Sequence, residues 1–597
     1  MKKLNNISVS RIVIFSIISV LINKTPLYIL FCLLLLIYDY KETIIYVFLI
    51  CFVLSTNSIK VDFIPYGIVE KKENNSYIVY KLFYKAEIKD NNINIGDIIY
   101  SKDSVYLDSK DKLKRNIKFK INEYETIYNL KLKGLIYERI NTFPEKGIIG
   151  LNKFLYNINS YDDLSFNLGY GLAIYYLIKF VSQKHKGIGL VFIVIYAILF
   201  YFDPKFYLLI LDILISNKNS NKYWYRCIFI LIINKCLFYN YSILIPLLLN
   251  LSNFIYIDMD FKEYMIIIES ILFGNINIIS VFLFKYIIYF QIILLCLSLI
   301  VLIFPILSPL YILLLNLYSL INNINLEIRG SLSIFGILIY EIIKYSLPFR
   351  NKYLDCFIIC LIILSKISNP FLSISFIDVG QGDAEIIKLP FFDGNILIDT
   401  GSKYNYYNLR KYLFMNGIYN IDYLIITHDD SDHNGNLESL NNDFNIKNII
   451  IEGKDIGLKN LNLKYLYIDD FDNDNDNSLV YYLNINDIKF LFTGDISSKA
   501  EEKLVNKYGD LDIDILKVTH HGSSTGSSEY FIKSILPKIS IISTSGQYNH
   551  PSYITIENLE KYLSKYYITK DDGTIEIYLT GLINILKSEH GDFVIIR

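Results

Sequence analysis

The chain has 597 residues, enough for several domains, and hydrophobic residues make up 53% of it against 20% charged residues. This balance is typical of a membrane protein and argues against a soluble globular chain. The formal net charge of −1 excludes a general attraction for polyanions, so any nucleic-acid site must be local. The seven cysteines lie in apolar runs without a C-x-x-C pair, which argues against a disulfide scaffold or a zinc ribbon.

Residues 1–58 form the first segment, with apolar stretches at 11–22, 26–38 and 43–55. A basic start followed by an apolar run is typical of a signal peptide, but no small-residue cleavage site follows here. We therefore expect a retained anchor and further transmembrane helices in this segment.

Residues 59–140 have mixed charge and loosely alternating apolar residues, a pattern that continues through 116–137 and predicts several short strands. With Gly67 and Gly96 at turns, the pattern fits a small OB-type barrel. Such a barrel would stack bases on aromatic residues and contact the backbone through basic ones. The aromatic candidates are Tyr80, Phe83, Tyr100 and Tyr106, and the basic candidates are Lys81, Lys85, Lys112, Lys114 and Arg115. The alternative is an ordinary β domain with aromatic residues in its core.

Residues 141–370 are again dominated by apolar runs, and a bilayer core needs about 20 apolar residues for each helix. The uncharged stretch 286–326 is too long for one crossing, and we expect Pro305 and Pro309 to divide it. Candidate spans lie near 188–202, 205–216, 226–250, 264–282, 286–304, 307–322, 331–348 and 353–366. We expect about ten spans in the whole chain.

Three ionisable residues lie inside these apolar runs: Asp212, Lys235 and Glu269. Charges at membrane depth are costly unless they are paired or hydrated, so they indicate a polar path through a helix bundle. The alternative is that they lie near helix ends and reach the interface.

Residues 371–597 are predicted to be a soluble domain, and they contain six of the seven histidines, five of which (His428, His433, His520, His521 and His550) follow predicted strands. In "IITHDDSDHNG", an apolar strand is followed by His428, Asp430, Asp432 and His433 within one tight turn. Imidazole and carboxylate ligands this close together can bind one divalent ion, or two ions about 3.5–4 Å apart.

Further motifs in this domain also end strands with ionisable residues. "IKFLFTGDISS" presents Asp495, "DILKVTHHGSSTGSS" presents His520 and His521, and "ISIISTSGQYNHPS" presents His550. Upstream, "FIDVGQGDAEII" and "NILIDTGS" present three more carboxylates, those of Asp378, Asp383 and Asp399. The sequence therefore predicts a metal site to which several strand ends contribute.

These motifs together resemble the metallo-β-lactamase superfamily, whose αββα sandwich carries its metals on loops at one edge. The set "DVGQGDA", "LIDTG", "THDDSDHNGNL", "FTGD", "LKVTHHGS" and "NHP" is similar to that of ComEC-type DNA-uptake proteins. The resemblance implies an N-terminal OB-like domain, a multispanning channel and a C-terminal metallo-β-lactamase-like domain. In motifs it covers about 371–597, and over 1–370 it is one of layout.

The resemblance also implies roles for single residues. It assigns His428 and Asp430 to one metal, and Asp432 and His433 to a second, with Asp495 bridging both. His520 or His550 would complete the ligand set, His520 being preferred over His521, which would contact phosphate. Asp399 would orient a ligand imidazole, and Asp378 and Asp383 are further candidates for orienting ligands or contacting phosphate.

Two departures from the superfamily pattern affect the expected metal. The second position of the H-x-H-x-D-H signature is Asp430, and oxygen in place of nitrogen favours manganese or magnesium over zinc. No histidine occurs between His433 and Asp495, so the superfamily's middle histidine ligand is missing.

The resemblance implies a multi-pass protein of the cytoplasmic membrane that passes single-stranded DNA inward. Its final domain would be a metal-dependent nuclease that degrades the other strand. Implied partners are DNA, membrane lipid, a DNA receptor and an ATP-driven translocase, and the chain could form oligomers. Two alternatives are a membrane-anchored phosphodiesterase without transport, and a channel with a non-catalytic hydrolase-like domain.

Overall fold

The computed structural model describes most of the chain from residue 66 onward. The described residues are 66–156 without 74–75, 82–83, 90–92, 96 and 107–116; 177, 180–181 and 186–199; 261–346 without 324–325; and 351–596 without 366–367, 510 and 582. Several predictions lie outside these residues: the spans within 1–58, those at 205–216 and 226–250, and the sites Asp212, Lys235, Phe83, Lys112, Lys114 and Arg115. The chain divides into two compact units, described separately here: Met1–Tyr264 with Asn277–Leu326, and Met265–Ile276 with Glu327–Arg597.

The first unit contains a closed barrel of five strands. They are β1 (Tyr66–Glu73), β2 (Ser76–Lys81), β3 (Tyr84–Ile88), β4 (Asp97–Tyr106) and β5 (Ile117–Asn129). The order around the barrel is β1-β2-β3-β5-β4, with β3 and β5 parallel and the other pairs antiparallel. Val69, Val79 and Ile99 are among the buried residues that fill its interior. The predicted β segment is confirmed, whereas its assignment to the OB type stays a prediction.

Eight helices precede the final domain among the described residues. They are α1 (Lys131–Asn141), α2 (Glu145–Tyr156), α3 (Lys186–Leu199), α4 (Phe261–Phe273), α5 (Ile278–Ile303), α6 (Ser308–Asn323), α7 (Ile334–Ser346) and α8 (Lys352–Leu364). Helix α1 corrects the strand pattern predicted to continue to residue 137. Its apolar residues Leu132, Ile136 and Ile140 recur every four positions, which is a helical period.

The predicted spans correspond only in part to these helices. Within the described residues, one helical segment, Tyr286–Ile303 of α5, is long and apolar enough to cross a bilayer. The break predicted at Pro305 and Pro309 is confirmed, because a 3₁₀ turn at Pro305–Leu307 separates α5 from α6. The span predicted at 264–282 is wrong: Gly274, with φ +66°, ends α4 and leads into the short strand β6 (Asn275–Asn277).

Helices α7 and α8 correspond to the spans predicted at 331–348 and 353–366, but each has only 13 residues. At 1.5 Å per residue such a helix is about 20 Å long, shorter than a bilayer core of about 30 Å. Both helices belong to the second unit, together with most of α4 and with the strand β7 (Glu327–Arg329), which pairs with β6.

The final domain has two large sheets that pack face to face. The strands are β8 (Leu372–Phe376), β9 (Glu385–Lys388), β10 (Asn395–Ile398), β11 (Asn420–Ile421), β12 (Tyr423–Ile425), β13 (Asn445–Ile446), β14 (Ile449–Ile450), β15 (Ile456–Leu458), β16 (Leu461–Tyr465), β17 (Tyr481–Ile485), β18 (Ile488–Phe492), β19 (Ile515–Lys517), β20 (Ile539–Ile542), β21 (Lys565–Ile568), β22 (Ile575–Leu579), β23 (Asn584–Ser588) and β24 (Phe593–Ile596). The first sheet has the order β14-β12-β10-β9-β8-β22-β23-β24 and the second the order β15-β16-β17-β18-β19-β20-β21, and together they enclose a core of aliphatic and aromatic side chains. Strands β11 and β13 form a separate two-stranded sheet.

Helices cover the outer faces of both sheets. They are α9 (Tyr406–Met415), α10 (Leu437–Asp443), α11 (Ser498–Tyr508), α12 (Glu529–Ile535), α13 (Tyr553–Lys561) and α14 (Thr569–Asp572). Leu409 and Leu413 of α9 pack on the first sheet, while Leu504 of α11 and Phe531 of α12 pack on the second. This αββα arrangement is the fold expected for the final domain.

Parallel strand pairs determine where the loops of this domain meet. Strand β10 is parallel to β12 in the first sheet, and β18, β19 and β20 are mutually parallel in the second. Their carboxyl ends lie at one edge, which we call the metal edge. Asp399, His428, Asp495 and His520 all follow these strand ends.

The opposite edge receives the chain from the preceding helices. The Arg329 guanidinium donates to the carbonyls of Ile418 at 3.1 Å and Asp443 at 2.9 Å, and it lies 4.4 Å from the centroid of the Phe414 ring. Ser331 N–H donates to Met415 O at 2.9 Å. The apolar helices of the second unit are therefore attached at the edge away from the metal edge.

Candidate metal centre

The loop after β12 places two histidines side by side. The rings of His428 and His433 have centroids 4.1 Å apart, and both side chains are buried. His433 Nδ1 lies 2.7 Å from Asp399 Oδ2, and Asp399 also accepts hydrogen bonds from Thr427 N–H at 2.8 Å and Thr427 Oγ1 at 2.7 Å. Asp399 thus holds the His433 ring so that its Nε2 is free to bind a ligand, which is the orienting arrangement seen around metals.

Asp495 lies at the centre of the cluster. Its Oδ2 is 3.3 Å from His433 Nε2 and 3.2 Å from His521 Nε2, and 3.8 Å from His520 Nε2. Gly494, with φ +55°, makes this position possible because a Cβ there would contact Ser478 at 2.7 Å. The Asp495 N–H donates to the same serine's Oγ at 3.1 Å, which fixes the carboxylate at the sheet edge.

The turn after β19 determines which of its two histidines faces the cluster. His520 and His521 both have positive φ, +46° and +54°, and this left-handed backbone turns His521 into the interior. His521 Nδ1 lies 2.9 Å from Ser543 O, so its Nε2 is directed at Asp432 Oδ2, 3.3 Å away. Glu501 supports the turn by accepting a hydrogen bond from Thr519 Oγ1 at 2.8 Å.

The distances reverse the expected roles of the two histidines. His521, expected to contact phosphate, is buried among the carboxylates, while His520, the preferred ligand, is 28% exposed at the rim. His550 is half-buried, and its ring centroid lies 6.1 Å from that of His520. By proximity His521 is therefore the better ligand candidate, with His520 and His550 at the mouth of the site.

The remaining predicted residues lie at different depths. Asp430 is half exposed, with Oδ2 3.4 Å from His428 Nε2, whereas Asp383 is fully buried and 3.3 Å from His521 Nδ1. Asp378 does not join the cluster, since its carboxylate accepts the Gly380 N–H at 3.2 Å within a turn.

The donor atoms fit divalent cations. Among the described residues, four sets of three side chains bring possible ligand atoms within 4.8 Å of one another: His428, His433 and Asp495; Asp432, His433 and His521; Asp383, Asp399 and His433; and Asp383, Asp495 and His521. The Nε2 atoms of His428, His433 and His521 are buried without a hydrogen bond, as is Oδ1 of Asp495. Buried donor atoms left without hydrogen bonds and pointing at one place are what a cation needs.

The pKa shifts of the buried residues also indicate that the site needs a cation. Burial lowers the pKa of His433, but the Asp495 and Asp399 carboxylates outweigh it and hold that pKa well above its usual value. Burial raises the pKa of Asp495, but His521 and His433 outweigh it and hold that pKa well below its usual value. The buried carboxylates thus need positive charge close by, and a bound cation would supply it without protonated imidazoles.

Lys517 is a residue of the site that the sequence analysis did not identify. Its side chain is fully buried, forms an ion pair with the Asp383 carboxylate and donates to Gly494 O at 3.2 Å. Its Nζ also lies 3.7 Å from Asp495 Oδ1. Burial lowers the pKa of Lys517, but Asp383 and Asp495 raise it above its usual value. The available signal is a single lysine at the end of an apolar strand, separated from "THHGS" by Val518 alone.

Comparison with known proteins relates part of the final domain to one superfamily. Residues 391–467 match the metallo-beta-lactamase superfamily. Two solved structures are similar. YhfI of Bacillus subtilis has 11% sequence identity and a TM-score of 0.25, and the match covers 34% of this chain and 99% of the YhfI chain. A metallo hydrolase of Ignicoccus hospitalis has 12% identity and a TM-score of 0.25, and the match covers 38% of this chain and 99% of that hydrolase. Part of the final domain is thus similar to the metallo-beta-lactamase superfamily.

Three curated proteins are also similar to this chain in sequence. ComE operon protein 3 of Bacillus subtilis is 28% identical over 251 residues, 34% of this chain and 32% of that protein. Recombination protein 2 of Haemophilus influenzae is 31% identical over 247 residues, which are 37% of this chain and 30% of that protein. Competence protein ComA of Neisseria gonorrhoeae is 28% identical over 194 residues, which are 29% of this chain and 28% of that protein. The resemblance to ComEC-type proteins is thereby confirmed, and the matched region spans about a third or less of each relative.

Replacing Lys517 tests the buried charge pair. We expect K517M to cost about 3–5 kcal/mol of folding free energy, because it leaves the Asp383 charge buried and unpaired. D383N combined with K517M should recover part of that loss. Thermal unfolding of the single and double variants measures this coupling.

The pH dependence gives a second readout of the same pair. Lys517 and His521 outweigh burial and lower the pKa of Asp383, so the pair's stability is present above the unfolded aspartate pKa of about 3.9 and is lost below it. The difference between wild type and K517M should therefore shrink as the pH falls towards 3. As a control, K489M removes the exposed Lys489–Asp512 pair and should leave the unfolding midpoint nearly unchanged. Strictly additive effects of K517M and D383N would contradict the pairing.

Proposed function

We propose that this chain is a DNA-uptake protein of the cytoplasmic membrane whose metallo-beta-lactamase domain is a metal-dependent phosphodiesterase. In this proposal the membrane part passes single-stranded DNA inward, and the domain degrades the strand that is not transported. The observation that carries it is the convergence of His428, His433, Asp495 and His521 at the metal edge, in a chain with a relative named competence protein ComA.

Two divalent ions are the proposed cofactors: His428 and Asp430 would hold one, Asp432 and His521 would hold the other, and His433 and Asp495 could serve as ligands to either. Carboxylate oxygens make up a large share of this donor set, which favours manganese or magnesium over zinc. When bound, such ions supply Lewis-acid chemistry towards a phosphodiester.

The protein's own residues have separate tasks. Asp399 and Asp383 hold the His433 and His521 rings, and Lys517 neutralises Asp383 from within the core. Burial lowers the pKa of His520, which keeps its imidazole neutral near pH 7. Because His520 lies at the exposed mouth, its Nε2 is placed to accept a proton from water or to return one to a leaving oxygen.

The barrel of the first unit is the proposed contact for DNA. Tyr66 and Tyr100 are exposed on neighbouring strands, with ring centroids 5.4 Å apart, which supports an aromatic surface that bases could stack on. The OB assignment and the roles of Tyr80, Phe83, Lys112, Lys114 and Arg115 belong to this proposal, as do a multi-pass membrane part, a DNA receptor, an ATP-driven translocase and oligomers.

A cleavage assay tests the enzymatic half. The full-length protein in detergent with Mn²⁺ should cleave DNA, and D432A and D495A should reduce cleavage to background. D432A, which removes a partly exposed carboxylate, should leave the unfolding midpoint close to wild type. D399N, which only disturbs ligand orientation, should lower activity by about 10- to 100-fold. The control D472A removes a carboxylate from an exposed loop and should retain full activity. Absence of cleavage with Mn²⁺, Mg²⁺ and Zn²⁺ would favour a non-catalytic domain.

An uptake assay tests the transport half. Deleting the gene should abolish uptake of external DNA, measured as transformation with a marked linear duplex. Cells carrying D495A should keep binding DNA at the surface but release fewer acid-soluble fragments of the second strand. Unchanged transformation in the deletion strain, together with active nuclease in vitro, would favour the membrane-anchored phosphodiesterase without transport.

A further inference from the structure

The turn between β9 and β10 exposes two adjacent phenylalanines. Phe391 and Phe392 are 62% and 68% exposed, and both have positive φ, +47° and +71°. A left-handed backbone is unfavourable for bulky L-residues, and two in succession are uncommon. Neither side chain is packed into the domain core in return. We call these two residues the phenylalanine tip.

The phenylalanine tip lies at the edge opposite the metal edge. It lies two residues before β10, whereas Asp399 directly follows β10 and contacts His433. The four residues of β10 separate the two ends by about 13 Å at 3.3 Å per residue. Because β10 crosses the domain from one edge to the other, the tip and the metal centre face opposite directions.

The same tip is tied to the point where the chain leaves α8. Phe391 N–H donates to Asn369 O at 2.9 Å, five residues after α8 ends at Leu364. Helix α8 is apolar and itself exposes Phe357, which is 59% accessible, and Phe371 beyond it is also exposed. An apolar series therefore runs from the outer face of α8 through Phe371 to the phenylalanine tip.

We propose that the phenylalanine tip inserts into the interface of the lipid bilayer that receives α8. This inference rests on the membrane location in the proposed function and adds how the domain is held. Exposed aromatic side chains beside a membrane-embedded helix are suited to the apolar boundary under the headgroups. The domain then contacts the bilayer by the edge opposite the metal edge. The metal edge faces bulk water, where a flexible DNA strand can reach it.

The occupant follows from continuity with α8. A protein partner would need one complementary surface for the phenylalanine tip and would leave the exposed face of α8 to be covered by something else. A bilayer covers the helix and the tip together. The attachment of α7 and β7 at the same edge agrees with this orientation, since Ser331 and Arg329 bind the carbonyls of Met415 and Ile418 there.

Fluorescence quenching by brominated lipid tests the proposal in the full-length protein. The sole tryptophan is first removed by W224F, and a single tryptophan is then introduced in place of an aromatic residue by F391W, F392W, F357W or Y548W. Tyr548 is the matched control, because it is 79% exposed with φ +56° but lies beside His550 at the metal edge. Each variant is placed in nanodiscs of plain or acyl-brominated phosphatidylcholine.

We expect F391W and F392W to lose emission in brominated lipid as F357W does and to show a blue-shifted maximum, while Y548W keeps its emission. Quenching of F357W without quenching of F391W and F392W would overturn the inserted tip but leave the membrane proposal standing. Equal quenching of Y548W would overturn the proposed orientation. Lack of quenching at all four positions would overturn the placement of α8 in the bilayer and the inserted tip with it.

Discussion

Compensation among buried charges controls the architecture of the final domain. Asp383, Asp399 and Asp495 are almost completely buried, and each would be strongly destabilising without a cationic or hydrogen-bonding partner. Lys517 neutralises Asp383 from below, Thr427 and His433 satisfy Asp399, and His433 and His521 face Asp495. On the core side of the cluster, the protein itself supplies positive charge through Lys517. On the solvent side, a bound cation would supply it.

The αββα topology allows this concentration of charge within a stable domain. Parallel strands end together at the metal edge, so residues separated by as many as 138 positions, Asp383 and His521, are brought into one cluster by short loops. The core between the sheets stays apolar up to that edge, with Phe376 and Phe492 packed at 6.0 Å between centroids. Charge is thus confined to the strand ends, where loops can adopt left-handed turns such as that of His520 and His521.

The sequence predicted those parts of the site that depend on local motifs. His428, Asp432, His433 and Asp495 follow strands that an alternating or apolar pattern reveals, and the structure brings them together as the motif order implies. The choice between His520 and His521 depends on two positive φ angles that side-chain chemistry does not indicate. Lys517 was overlooked because its role exists only once Asp383 arrives from another strand.

The apolar helices were harder to delimit than the final domain. Hydropathy alone joins α4 to α5, because Gly274 and the three residues of β6 are a backbone feature within an otherwise apolar run. Helix α1 continues from a strand without a proline or a change of composition, so its periodicity was masked by the preceding β pattern. Proline signals, in contrast, located the break between α5 and α6.

The claim most exposed to test is that these side chains bind a pair of divalent cations at the metal edge. Electron paramagnetic resonance of the full-length protein titrated with Mn²⁺ addresses it directly, since ions about 3.5–4 Å apart couple magnetically. We expect two equivalents of bound Mn²⁺ with a spin-coupled signal that D495A abolishes. An uncoupled six-line spectrum in the wild type, or binding unaffected by D495A, would contradict it.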